Sequence, residues 1–64
     1  MIKVNGSALD LAGKTVAELL AAEGYDNSVV AVERNGDIVP RSAYAETVLA
    51  DGDSVEVVSV VGGG

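Results

Sequence analysis

Apolar and polar residues alternate from the first position, in Ile2-Lys3-Val4, then Asn5-Gly6, then Ser7-Ala8-Leu9-Asp10-Leu11. An Asn-Gly pair between two such runs predicts a hairpin with a two-residue loop, because both central residues of a type I′ turn take positive φ. In that register Val4 faces Ser7 and Ile2 faces Leu9. Ile2, Val4, Leu9 and Leu11 then share one face and Lys3 and Asp10 the other, so one face is core and one is wet. The period changes at Thr15. Val16, Leu19 and Leu20, at i, i+3 and i+4, predict the buried stripe of a helix. Thr15 and Glu18 match the capping box, in which the hydroxyl and the carboxylate each satisfy a backbone N–H left open in the first turn. Gly24 ends the helix. At two to three turns it is too short to persist without tertiary packing, so it must lie on the sheet.

The second half repeats the hairpin pattern in Val29-Val30-Ala31-Val32-Glu33-Arg34, Asn35-Gly36 and Asp37-Ile38-Val39. A two-residue loop sets Val32 against Val39 and Arg34 against Asp37, an apolar pair and a cross-strand charge pair. Pro40 stops the strand. Arg41 to Glu46 reads as a short helical turn started by Ser42, with Tyr44 closing the edge of the core. Thr47-Val48-Leu49 predicts a brief strand and Asp51-Gly52-Asp53 a turn. Ser54 to Val61 predicts a final strand of up to eight residues, the longest and most apolar. A central place beside the first strand and parallel to it would bury the most Val side chains. The expected fold class is α+β, one mixed sheet with one main helix packed across it.

Composition narrows the function classes. The chain has 64 residues, with twelve Val and only two aromatic residues, Tyr25 and Tyr44. A single domain of this size leaves little room for a ligand cleft, since such pockets take about 300–1,000 Å³. Cys and His are absent. That removes thiol nucleophiles, disulfides, the usual metal sites and His-based acid/base catalysis. Four Lys and Arg against ten Asp and Glu leave a net charge of −6, which disfavours nucleic acid and anionic membrane surfaces. Without a spanning apolar run or a signal-like start, the chain reads as soluble and cytoplasmic. Asp10, Asp26, Asp37, Asp51 and Asp53 lie in or beside turns, where Asp stabilises local backbone. Asp51 and Asp53 lack the further ligands at loop spacing that a divalent cation needs. No metal site and no catalytic residue is expected.

The last three residues, Gly62-Gly63-Gly64, follow the final strand directly. The predicted organisation is a domain over residues 1–61 and a flexible glycine tail over 62–64. Without Cβ atoms, such a segment passes through a narrow channel and presents a terminal carboxylate to a partner's catalytic atoms. A carboxylate is a poor electrophile; attack of its oxygen on the α-phosphate of ATP makes an acyl adenylate that a sulfur or nitrogen nucleophile can open. The nucleotide pocket then belongs to a separate enzyme, and this domain acts as a handle.

The order of elements resembles the ubiquitin-like β-grasp. Residues Glu33 to Arg41, Tyr44-Ala45, Asp51-Gly52-Asp53 and the closing Val60-Val61-Gly62-Gly63-Gly64 are together similar to the ThiS family of thiamine-biosynthesis sulfur carriers, over essentially the whole chain. The resemblance implies a protein co-substrate and not an enzyme. Gly64 would be adenylated by a ThiF-type enzyme that consumes ATP with Mg, with no cofactor bound permanently to the carrier. It would then become a thiocarboxylate, with a cysteine desulfurase as a sulfur donor. A ThiG-type thiazole synthase would receive the sulfur, and Gly62 and Gly63 would form the slender segment entering partner active sites. Many relatives carry an aromatic residue just before the tail, where this chain has Val58, Ser59 and Val60.

In the final strand Val55 and Val57 alternate to one side and Glu56, Val58 and Val60 to the other. Glu56, Val58 and Val60 form a candidate partner interface beside the tail; the competing reading is that twist or a bulge turns a valine inward. Asp51 and Asp53, with Glu56, are further candidate contacts for a basic partner. Two functional alternatives stand beside the thiamine carrier: a carrier for molybdopterin or another sulfur-containing product, and a noncovalent β-grasp interaction module.

Overall fold

A computed structural model describes residues 1–60; Val61 and the expected tail Gly62–Gly64 lie outside the described residues. Five strands form one sheet: β1 (Ile2–Val4), β2 (Ser7–Leu9), β3 (Val30–Arg34), β4 (Asp37–Val39) and β5 (Ser54–Ser59). Their order is β2-β1-β5-β3-β4, with β5 in the centre, parallel to β1 and antiparallel to β3. The helix α1 (Val16–Ala22) covers one face.

Both Asn-Gly turns set the predicted registers. Ile2 pairs with Leu9 and Val4 with Ser7; Val32 pairs with Val39 and Arg34 with Asp37. Asn5 and Asn35 sit at φ 50° and 52°, and Gly6 and Gly36 at 88° and 87°. Two successive residues at positive φ define the type I′ turn, whose twist matches that of the flanking strands.

Thr15 caps α1 as expected. The Glu18 N–H donates to its hydroxyl at 3.1 Å, and the Thr15 N–H donates to the Glu18 carboxylate at 2.8 Å. The bond from the Thr15 N–H, above all, holds the Glu18 carboxyl below its ordinary range. Thr15→Ala is expected to cost about 1 kcal/mol, read as a small drop in Tm. Val16, Leu19 and Leu20 are buried against Ile2, Val4, Val30, Val32, Val39, Val55 and Val57. Tyr44 and Leu49 close the rim of this core.

Four expectations need correction. Thr47–Leu49 is not a strand: Val48 makes one isolated bridge with Thr15. The segment is used up in closing the helix entry, where the Val16 N–H donates to Thr47 and the Leu49 N–H to Lys14. The helical turn is a 3-10 turn over Arg41–Ala43 with Pro40, not Ser42, at its start, where the ring fixes φ at −63°. β5 stops at Ser59 and has six of the up to eight residues expected, with Val61 outside the described residues, although the Val60 N–H still donates to Val29. Arg34 stands opposite Asp37, yet its Nε donates to Asp53 Oδ2 at 2.8 Å.

Candidate functional site

β5 runs through the middle of the sheet toward the expected tail, and its two faces differ. Val55 and Val57 are buried under the helix, whereas Glu56 and Val58 are exposed on the open face. Val58 is 55 % and Val60 53 % accessible, so neither valine is turned inward. Cross-strand pairing extends this surface: Ala31 stands opposite Val58, Glu33 opposite Glu56, and Ile38, 75 % accessible, opposite Glu33. The result is an apolar pair, Val58 and Val60, beside two carboxylates held directly across from each other, with Ile38 on the far side of Glu33. Opposed like charges destabilise a sheet slightly, and apolar side chains left in water offer their burial to a partner.

Glu33 and Ile38 belong to this face as much as the three residues read from β5 alone. Their signal was present in period two: if Val32 and Val39 point inward, Glu33 and Ile38 point outward.

Asn5 holds the β5 segment nearest the tail. Its Oδ1 accepts from the Val57 N–H at 2.8 Å, and its Nδ2 donates to the Val57 carbonyl at 3.0 Å and to the Tyr25 hydroxyl at 3.3 Å. β1 has ended by this point, so the side-chain amide replaces the next backbone unit of the ladder. Position 5 carries no sequence sign of this second role beyond being Asn, a residue with both a donor and an acceptor.

At the other end of β5, Asp53 organises the turn. Its Oδ2 accepts from Arg34 Nε and from the Ala50 N–H, each at 2.8 Å, and its Oδ1 accepts from Asn35 Nδ2 at 3.0 Å. Asn35 Oδ1 in turn accepts from the Ser54 N–H at 2.9 Å. The bonds from Ala50 and Asn35, with Arg34 beside them, hold the Asp53 carboxyl below the ordinary carboxylate range. Asp53 is therefore buried and engaged within the chain, not a contact for a basic partner. Asp51 accepts from the Met1 amine. Among the described residues no cluster of three or more Asp or Glu is placed to hold a metal ion. A hollow of about 270 Å³ between the β3–β4 hairpin and Thr47 includes Arg34 and Asn35, at the Asp53 end of the sheet. That end lies about 17 Å from Ser59 along β5, given 3.3 Å per residue.

The ThiS family profile matches residues 2–64, a span that includes all three terminal glycines. The chain belongs to the ThiS family. It is 40 % identical over 68 residues to the sulfur carrier protein ThiS of Bacillus subtilis strain 168, covering the whole of both chains. The crystal structure of the thiamine biosynthesis protein ThiS from Geobacter metallireducens superposes with a TM-score of 0.81 at 39 % identity, covering 98 % of this chain and 97 % of that one. A thiazole synthase of Paramagnetospirillum magneticum is 47 % identical over 62 residues, 95 % of this chain. The chain spans 19 % of that synthase's length. The fold is thus the ubiquitin-like β-grasp of ThiS, and the family role is that of a sulfur carrier in thiamine biosynthesis, not of a catalyst. Among the described residues no helix is long and apolar enough to cross a membrane.

Proposed function

We propose that this ThiS-family chain carries sulfur on the C-terminal carboxylate of Gly64 for thiazole synthesis in the cytoplasm. A ThiF-type enzyme binds ATP with Mg, and an oxygen of the Gly64 carboxylate attacks the α-phosphorus while pyrophosphate leaves. A donor such as a cysteine desulfurase holds the sulfur as a persulfide; a thiol reductant releases it at the sulfide level and becomes a disulfide, and this sulfur attacks the acyl carbon while AMP leaves. The carboxylate has exchanged one oxygen for one sulfur. A ThiG-type thiazole synthase takes the sulfur from the thiocarboxylate.

The observation that carries this reading is the family match running through Gly64, in a chain whose central strand leads toward the tail with an apolar open face. Gly62 and Gly63 form the segment that enters the partner, and Glu56, Val58 and Val60 face its surface. The stretch similar to this chain within the Paramagnetospirillum magneticum thiazole synthase supports such a synthase as the acceptor. A domain without His or Cys suits this division of labour, because the sulfur is bound to a carboxyl carbon and the phosphate chemistry is left to the partner.

The test is an intact-mass measurement after incubation with ATP, Mg, a sulfur donor and the activating enzyme. One sulfur gained for one oxygen, localised to Gly64 by fragmentation, is the expected result. An unchanged mass in the presence of an enzyme active on its own carrier would overturn the reading.

A further inference from the structure

On one side of β5 the hydrogen-bond ladder stops before the strand does. Along a strand, successive residues turn their N–H and C=O groups to opposite edges. The even positions of β5 face β3: the Asn35 N–H donates to the Ser54 carbonyl, and the Val60 N–H to Val29. The odd positions face β1: the Lys3 N–H donates to Asp53 and the Asn5 N–H to Val55. At Val57 the Asn5 side chain supplies both partners. Ser59 is the next odd position, and by then β1 has turned back through Asn5-Gly6. Among the described residues the Ser59 N–H and C=O have no hydrogen-bond partner, and Ser59 is exposed. This bare edge lies five residues before Gly64.

An unpaired strand edge is a template for another strand, and proteins usually cover or blunt it. Among the described residues nothing covers it and no Pro or Lys blunts it, and exposed Val58 and Val60 flank it. We propose that the activating enzyme docks by laying an extended segment of its own along this edge, accepting from the Ser59 N–H and donating to the Ser59 C=O, so that the sheet continues from carrier into partner. That segment carries an apolar residue against Val58 and Val60 and a basic residue against the opposed pair Glu33 and Glu56. The charge argues for such a partner over a second copy of the chain: two bodies of −6 repel each other, whereas a basic segment is attracted and relieves the repulsion between Glu33 and Glu56. Backbone pairing at Ser59 also fixes the direction in which the residues toward Gly64 leave the domain. The proposal rests on the carrier reading above.

Ser59→Pro removes the N–H without removing a bond internal to the sheet, and Ser59→Ala keeps it. Both variants are expected to melt within a few degrees of the unaltered chain. Ser59→Ala is converted to thiocarboxylate normally, while Ser59→Pro shows a KM for the carrier raised about tenfold or more with the saturating rate little changed. An unchanged KM for folded Ser59→Pro overturns the proposal. A measurement on the unaltered chain stands apart from any folding defect: amide exchange at Ser59 is expected to slow about tenfold or more when the activating enzyme is added without ATP. Sulfur gained with Ser59 left unprotected by the enzyme overturns the docking mode alone. Protection without any sulfur gain overturns the carrier reading alone. Ser59 protected in the free chain in a concentration-dependent way assigns the edge to a second copy and overturns the proposal.

Discussion

Removing Gly64 is expected to abolish thiocarboxylate formation while leaving the melting temperature within about a degree of the full chain. The two halves of this result have separate causes. Reaction at the α-phosphorus needs the attacking oxygen at about 3–3.5 Å. A chain shortened by one residue presents its carboxylate about 3.5 Å short of that point, more than a docked domain can recover without giving up its contacts. Stability, by contrast, resides in a core whose twelve buried apolar residues run from Ile2 to Val57. Intact mass and pyrophosphate release should therefore both fall to background in the shortened chain, and thermal melting should be superposable. An equal sulfur yield from the shortened chain would show that Gly64 is not the acceptor.

Asp53→Ala is expected to do the reverse, lowering stability and leaving the chemistry of the tail intact. The substitution leaves three donors, Arg34 Nε, Asn35 Nδ2 and the Ala50 N–H, without the nearly buried carboxylate that gathers them at the part-buried start of β5. The expected cost is about 3 kcal/mol. A domain of this length has a total stability of roughly 3–10 kcal/mol, so the loss is a large share of it. Tm should fall by roughly 15 °C. The same carboxylate makes the fold acid-sensitive. Its folded-state pKa is lowered, so its contribution is fully present above the unfolded value of about 4 and is lost as pH falls through the folded value. Stability curves of the unaltered chain should decline below about pH 4, and the Asp53→Ala curve should decline less over that window. At a temperature where the variant is folded, thiocarboxylation should proceed at the normal rate. A defect that persists in the folded variant would mean that Asp53 contacts a partner after all.

These two predictions lie at opposite ends of β5, and the strand's central position links them. β5 holds buried Val55 and Val57 under the helix, anchors its start through Asp53, and carries its outward residues toward the tail. The proposed partner-facing surface is therefore built on the central strand of the sheet, which suits the proposed presentation of one terminus to successive enzymes without reshaping the fold.

Much of this was legible from local patterns. Asn5-Gly6 and Asn35-Gly36 set both hairpin registers because a type I′ turn leaves its flanking strands only one pairing. Thr15 and Glu18 set the start of α1 because a capping box is closed by residues three apart. The outward placing of Glu56 and Val58 followed from strand alternation. The misread points involve partners far apart in sequence. Arg34 pairs with Asp53, nineteen residues away, in preference to Asp37 across the turn, because Asp53 sits in a pocket of converging donors that local spacing cannot reveal. Thr47–Leu49 has strand composition but is drawn into single contacts with the helix entry.

By itself, then, the sequence determined the units: two hairpins, one capped helix, an apolar last strand and a glycine end, each specified by interactions within a few residues. Only the tertiary structure decided where those units leave something unpaired. Ser59 has a bare edge because β1 stops at Val4 and Asn5, 52 residues from Val57, closes the ladder one position short. Such a vacancy depends on the relative lengths of two strands that meet across the sheet, and no local pattern of side chains encodes it.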